Sequence, residues 1–265
     1  MEDNELIVSR IRDLAFQADK YSIVTHTSFL SLSQQNVFYE LLKKEGNPLA
    51  KKIYGVSFFL YGGKEDSDRK IIFFIPDYVK EEDLKEEIDN GSYISLLYVS
   101  PKNVKFSDKV THRDYLGALM HLGIERSMYG DIYTDGTYGY VFIMDSLADV
   151  VKDELLRIKH TVVDAVIQKP KECAFKQQYK EKKVFLSALR IDSLIAEVFN
   201  LSRRSAQTLI ASECVFVNGK LEKNNAYRIK GPVRVSIKGE GKFLFDGKSV
   251  LTKKDRYALT VMIYC

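Results

Sequence analysis

With 265 residues, 45% of them hydrophobic and 12% aromatic, the chain can bury two or three cores, which excludes a disordered or low-complexity protein. Its 40 Lys+Arg and 36 Asp+Glu leave a net charge of only +4, unevenly spread: residues 1–170 hold 21 cations and 27 carboxylates, residues 171–265 hold 19 and 9. A polyanion is therefore expected on the C-terminal third, because counterion release scales with the cations that reach phosphate.

No apolar run approaches the ~18 residues of a membrane span, and the start MEDNELIVSRIRD lacks the basic-then-apolar order of a signal peptide. Cys173, Cys214 and Cys265 show no CxxC spacing. The expectation is a cytoplasmic monomer with no membrane, disulfide framework, metal or cofactor.

In chain order, helical spacing runs from Leu6 to Ala18, and Thr27 to Ser31 leads into a second helix through Leu42. Strand-like runs at Tyr54 to Tyr61 and Lys70 to Pro76 flank Gly62-Gly63 and the polar stretch to Arg69. That stretch lacks the GxxxxGK[ST] spacing of a phosphate loop and reads as a hairpin end. Lys80 to Asp89 is acidic and expected as an exposed helix. From Tyr93 onward the order is strand (to Val99), helix (Arg113 to Leu122), two strands (Gly130 to Tyr133, Tyr138 to Met144), a helix capped by Asp145 or Ser146 and running to about Ile158, and a strand (Val162 to Ile167). This βαββαβ order predicts a ferredoxin-like plait, the fold of the RRM.

Two partial RRM motifs lie on that plait, Leu97-Tyr98-Val99 and Gly136 to Ile143, the second without its leading basic residue, second glycine and last aromatic. Period 2 puts Tyr138 and Tyr140 on one face, with Tyr98 beside them if the strands are adjacent. The trio could stack bases, or it could be a strand face packed against the N-terminal segment, the reading favoured where basic flanks are missing. The expected division is an N-terminal α/β segment at 1–90, the plait at 91–169, a basic linker at 170–183 and a further domain at 184–265, an α+β chain throughout.

The last domain is the most informative. Leu194, Ile195, Val198 and Phe199 mark one buried helical face, Asn200-Leu201 break it, and Ser202 can cap a second helix with Ala206, Leu209 and Ile210 inward. Arg203 and Arg204 then lie in a first helical turn, where the macrodipole disfavours cations unless an anion is present. A bound phosphate would resolve that conflict. Val215-Phe216-Val217 runs into Asn218-Gly219, a strong two-residue hairpin signal, with Lys220 at its tip.

These residues resemble the S4 RNA-binding domain, an αL-shaped module: Arg190-Ile191-Asp192, Ser202-Arg203-Arg204, Val215 to Lys220, Tyr227-Arg228-Ile229, Val233 to Ile237 and Lys238 to Phe243. The resemblance implies RNA contacts at Arg190, Ser202, Arg203, Arg204, Gln207, Asn218, Gly219, Lys220, Lys238 and Lys242. With the N-terminal Gly-Gly turn ending in Arg, the string Thr111-His112-Arg113-Asp114-Tyr115-Leu116-Gly117-Ala118-Leu119-Met120 through Ile124, and Gly130-Asp131-Ile132, the chain resembles the YlmH family. Lys242 stands where arginine often precedes Phe243 in that family. The likeness implies a ribosome-associated quality-control factor that binds large-subunit rRNA and tRNA or peptidyl-tRNA, alongside an NEMF-type tailing factor.

No residues announce catalysis. His26, His112, His121 and His160 lack HExxH or paired-ligand spacing, and Thr111 with Asp114 reads as a helix start around His112. No cofactor glycine loop, HIGH and KMSKS pair, or second RLD block occurs. The expectation is a binder rather than an enzyme. The alternatives are an RNA-modifying enzyme targeted by its S4 module and a cell-division-associated RNA-binding protein.

Overall fold

The computed structural model describes residues 2–47 and 51–264, which fall into two compact units divided between Phe175 and Lys176. In the first, α1 (Glu2–Tyr21) and α2 (Leu32–Glu45) flank β1 (Thr25–His26), followed by β2 (Gly46–Asn47), β3 (Lys52–Ile53), β4 (Val56–Tyr61), β5 (Ile71–Ile75) and α3 (Glu81–Asp89). The sheet order is β1-β5-β4-β3-β2. α2 starts at a capping box: the Ser31 N–H donates to Gln34 Oε1 at 2.8 Å while Ser31 Oγ accepts from the Gln34 N–H.

The second part of this unit is a plait of β6 (Ile94–Pro101), α4 (His112–His121), β7 (Tyr129–Thr134), β8 (Gly139–Met144), α5 (Ala148–Glu154), β9 (Arg157–Ile158) and β10 (Thr161–Gln168). Its order β7-β8-β6-β10-β9 puts the first and third strands at the centre, as the ferredoxin-like fold requires. The helix expected to reach Ile158 ends at Glu154 instead. Lys159 takes φ +53, and β9 turns back on β10, which buries Ile158 in the core in place of another helical turn. Asp145 does not cap that helix either; its carboxylate accepts from the Ser95 hydroxyl at 2.6 Å.

Alternation along the plait strands explains why 1–90 and 91–169 form one unit. Leu97, Val99, Val141 and Ile143 face α4 and α5, meeting Tyr115, Leu119 and Val151. Their neighbours Ile94, Leu96, Phe142 and Met144 face the other way, against Phe29, Phe59, Phe73, Ile75, Leu84 and Ile88. Strand β5 is likewise buried on both sides, Ile72 and Phe74 against α1 and α2, and Ile71, Phe73 and Ile75 against the plait. Each such side chain contributes about 1.5–3 kcal/mol of burial, so neither sheet can be peeled from the other cheaply. The acidic helix α3 takes part, with Leu84 and Ile88 inward and its carboxylates outward.

The stretch 170–183 is only partly the linker expected. Pro170 is buried, Cys173 packs on the first unit, and Phe175 stacks on Tyr133 at 5.0 Å. Tyr179–Leu186 is already a strand, β11, whose Val184 and Leu186, on either side of the exposed Phe185, enter the second core. Of the basic residues that suggested a connector, Lys180, Lys182 and Lys183 belong to that strand, and Lys182 is engaged at the end of the first helix of the second unit.

The second unit continues with α6 (Ile191–Phe199), α7 (Arg203–Ala211), β12 (Val215–Val217), β13 (Lys220–Leu221), β14 (Val233–Ile237), β15 (Gly241–Leu251) and β16 (Tyr257–Tyr264). Its six-stranded sheet has the order β11-β16-β15-β14-β12-β13, and α6 and α7 pack on the face carrying Val235, Phe243, Phe245 and Val261. Cys173 and Cys214 are free thiols, and Cys265 lies outside the described residues. No helix among the described residues is long and apolar enough to cross a membrane.

Candidate nucleic-acid interface

Two short helices joined by a one-residue reversal build the site. Asn200, in the left-handed region at φ +55, ends α6, and the Lys182 ammonium fills the carbonyl end by donating to Glu197 O (2.7 Å), Val198 O (2.9 Å) and Asn200 Oδ1 (2.7 Å). Ser202 then caps α7, its hydroxyl accepting from the Ser205 N–H at 3.0 Å.

At the opposite end of α6, in its first turn, lies Asp192, whose side chain is fully buried. Arg190 grips it bidentately, Nε to Oδ1 at 3.0 Å and Nη2 to Oδ2 at 2.9 Å. Arg203 donates Nε to Oδ2 at 3.0 Å, and Gln207 donates Nε2 to the same oxygen at 3.0 Å. The Ser193 N–H adds a fifth donor to Oδ1. Burial works to raise this carboxyl, but the hydrogen bonds from Arg190, Gln207 and Arg203 outweigh it and hold Asp192 well below the usual carboxylate range. The ion pairs in turn hold Arg190 above its ordinary value.

The conflict of two arginines in a helical first turn is therefore half resolved inside the protein. Asp192 is the anion that Arg203 meets, and of the two arginines Arg204 is the one with no ion-pair partner among the described residues. Arg203 keeps 56% of its side chain exposed and gives Asp192 only its Nε, so its two amino groups are not spent on the pair. A guanidinium fixed by one edge and open on the other is suited to a bidentate contact with phosphate.

The remaining expected residues divide. Asn218 and Gly219 have φ +50 and +81, the pair of left-handed residues that a type I′ hairpin needs. Asn218 is occupied structurally, since its Oδ1 accepts from the Arg234 N–H at 2.8 Å. Lys220 is exposed at the tip. Ser202 and Gln207 use their side chains on the cap and on Asp192. Lys242 alternates with core residue Phe243 and so lies on the sheet face away from the helices, its ammonium 5.9 Å from the Tyr264 ring centroid. Lys238 sits 5.5 Å from the Phe216 ring centroid. The structure thus gathers Arg190, Arg203 and Gln207 around Asp192, leaves Arg204 exposed in the same helical turn as Arg203, and places Lys242 on the other side of the sheet.

Two residues of this site were not singled out from sequence. Asp192 enters from sequence only within the string Arg190-Ile191-Asp192, although an acid in a first turn within reach of two arginines signals a charge hub. Arg228 is exposed and forms a β-bridge with Arg190 across the chain, which adds a cation beside the fork.

The plait tyrosines are half-buried. Tyr98 and Tyr138 stack at 5.9 Å and 17°, Tyr98 and Tyr140 meet tilted at 5.3 Å, and Tyr140 also leans on Phe175 at 6.1 Å. The covered part of that sheet face is formed by their neighbours Leu96, Phe142 and Met144.

The strings around Gly62 and Gly130 have a structural explanation. A Cβ on Gly62 would lie 2.2 Å from Arg69 O, one on Gly130 2.7 Å from Phe29, and one on Gly139 2.0 Å from the Tyr115 hydroxyl. Asp131 accepts from the Asp68 and Arg69 N–H groups at 2.7 and 3.2 Å. The Arg69 guanidinium donates to the carbonyls of Tyr129, Phe29 and Arg126, and Arg126 donates to those of Tyr129 and Gly130. Burial, reinforced by Arg126, pushes Arg69 down to about 10. At His112, Asp114 accepts from both the N–H and the hydroxyl of Thr111 and pairs with Lys159 at 3.4 Å, a helix start rather than a reactive cluster.

Comparison with known proteins places both units. The family described as "Putative RNA-binding domain in YlmH" matches residues 93–172, and the S4 domain matches residues 189–234. A Bacillus subtilis relative named "Ribosome-associated protein quality control protein P2" is 28% identical over 205 residues, 75% of each chain. The solved structure titled "Cell division protein ylmH from Streptococcus pneumoniae" shares the fold at 19% identity and TM-score 0.50, covering 64% of this chain and 94% of that one.

Proposed function

We propose that this chain, which belongs to the YlmH family of S4-domain RNA-binding proteins, is a ribosome-associated quality-control factor that acts by binding rather than by catalysis. Its S4 module grips large-subunit rRNA and tRNA or peptidyl-tRNA, on particles where an NEMF-type factor extends the stalled chain. The observation that carries this reading is the fork at Asp192. A buried carboxylate fixes one edge of Arg190 and Arg203 and leaves the other edge open, beside exposed Arg204 and Arg228. The excess of cations over residues 171–265 supports it, and so does the name of the Bacillus subtilis relative. Within this reading Arg190, Arg203, Arg204 and Lys220 hold phosphates, Ser202, Gln207, Asn218 and Gly219 shape the surface that carries them, and Lys238 and Lys242 add a more distant field.

The test is sucrose-gradient sedimentation of tagged protein from lysate with sequencing of the RNA that copurifies, comparing wild type with Arg204→Glu/Lys220→Glu. Both substituted residues are exposed and neither supports Asp192. Wild-type protein in the large-subunit fraction with tRNA enriched, and variant protein at the top, is the expected result. Wild-type protein at the top of the gradient, or bound to one free RNA species, overturns it in favour of an RNA-modifying enzyme.

A further inference from the structure

We propose that the first unit carries a second RNA contact, for a single-stranded segment, on a strip from Tyr98 and Tyr138 to the exposed loop 102–109. The proposal deepens the RNA-binding reading above and rests on it. Residues 1–170 carry more carboxylates than cations, yet residues 102–114 contain Lys102, Lys105, Lys109 and Arg113 against Asp108 and Asp114. Among these cations Phe106 is 78% exposed and Val104 54% exposed, and the Lys105 ammonium lies 5.8 Å from the Phe106 ring centroid. An aromatic ring left in water beside lysines serves neither core nor solubility. It does serve a nucleotide, whose base stacks while its phosphate meets the cations.

The loop is held in place rather than loose. Asn103 Oδ1 accepts from the Lys105 N–H at 3.1 Å, the Asp108 N–H donates to Thr161 Oγ1 at 2.9 Å, and the Val110 N–H donates to Gly136 O at 2.9 Å. These bonds tie it to the last plait strand and to the turn that carries Tyr138, so little ordering remains to be done on binding.

Register carries the tyrosine face as far as Lys102, where the loop begins. Tyr98 is opposite Val166 and Ser100 opposite Asp164, and alternation puts Tyr98, Ser100 and Lys102 on one face, the open face of the plait. Lys102 reaches Asp164 at 3.2 Å, which offsets the acid facing the strip. The nearby Asp135 carboxylate is turned onto the Thr137 and Tyr138 N–H groups at 2.8 and 2.7 Å. The stacked Tyr98 and Tyr138 are beyond the part of the face covered by the N-terminal sheet. Rings at one end, lysines and a further ring at the other, match the alternation of base and phosphate along a single strand better than an acidic peptide, which would leave the tyrosines unused.

The test uses the whole chain and a stem-loop RNA with a uridine-rich single-stranded tail, with 4-thiouridine in the tail only. Photocrosslinked peptides are mapped, and affinity is measured for Phe106→Ala and for Lys105→Glu/Lys109→Glu, all at exposed positions. Tail crosslinks at Tyr98, Tyr138 or Phe106 are expected. Phe106→Ala should weaken binding of the tailed RNA about tenfold without affecting the tailless stem, and the double lysine variant should reduce the slope of log K against log salt by about 1.4. Tail crosslinks confined to residues 176–265, or variants that bind the tailed RNA like wild type, overturn the strip and leave the S4 reading standing. Failure of the tailless stem to bind overturns the S4 reading, and the tail crosslinks still decide the strip.

Discussion

Each unit contains one carboxylate with two arginines, and the two clusters use the same chemistry to different ends. In the first unit Asp131 accepts from backbone N–H groups, while Arg69 and Arg126 direct their guanidiniums to five carbonyl contacts on four residues. These donors are consumed by the fold, and burial lowers both arginines. In the second unit the carboxylate is fully buried and the guanidiniums are not: Arg190 and Arg203 keep 31% and 56% of their side chains exposed. What separates a structural staple from a ligand site is which partner is left at the surface. Arginine turned inward satisfies backbone, and arginine pinned from behind presents donors outward.

The largest expected effect is on the staple. Asp131→Ala leaves two partly buried N–H groups without their acceptor and removes the carboxylate that balances Arg69 and Arg126, and should cost the first unit about 4 kcal/mol. Denaturant unfolding followed by probes in each unit should show its transition shifted and that of residues 176–265 unchanged. Equal shifts in both would show that the staple is not confined to the first unit.

Asp192→Ala comes next, at about 3 kcal/mol from the second unit, because it strands two arginines and Gln207. It should also weaken RNA binding, although Asp192 itself offers nothing to a phosphate. A variant that loses stability but keeps full affinity would separate the hub from the interface and break the comparison.

How far these clusters were legible in sequence differs for a physical reason. The S4 helices and hairpin were readable because each is specified locally: a cap at Ser202, an apolar period from Leu194 to Ile210, two left-handed residues at Asn218-Gly219. The plait order was readable from alternating strands and helices. The merger of the first two expected segments was harder to see, because it depends on both faces of β5 and β8 being buried. The runs IIFFI and VFIM do carry that signal, since a strand exposed on one face would alternate with polar residues. Long-range choices were not readable at all: which carboxylate meets Arg203, that Phe175 folds back on Tyr133, and that Lys182 fills the end of α6.

Acid should report on the second cluster specifically. Asp192 is held below its unfolded value of about 3.9, so its contribution is fully present above that pH and is lost as pH falls toward the folded value. Unfolding midpoints of the second unit should therefore decline as pH falls below about 4, and Asp192→Asn should flatten that decline. An unchanged slope would mean that other carboxylates set the acid limit.

The smallest expected stability change sharpens the comparison most. Arg203→Glu would bring a second carboxylate against Asp192 and should destabilise the second unit, so lost RNA binding in that variant has two explanations. Arg204, one residue on, is exposed and supports nothing in the fold, and Arg204→Glu should move stability by no more than about 0.5 kcal/mol. If Arg204 holds a phosphate, the same variant should weaken RNA binding and lower the salt slope by about 0.9 for one lost contact. Affinity and melting temperature measured on one preparation check both. Lost affinity with an unshifted melt assigns Arg204 to the ligand alone, whereas unchanged affinity would confine the interface to the arginines that Asp192 already holds.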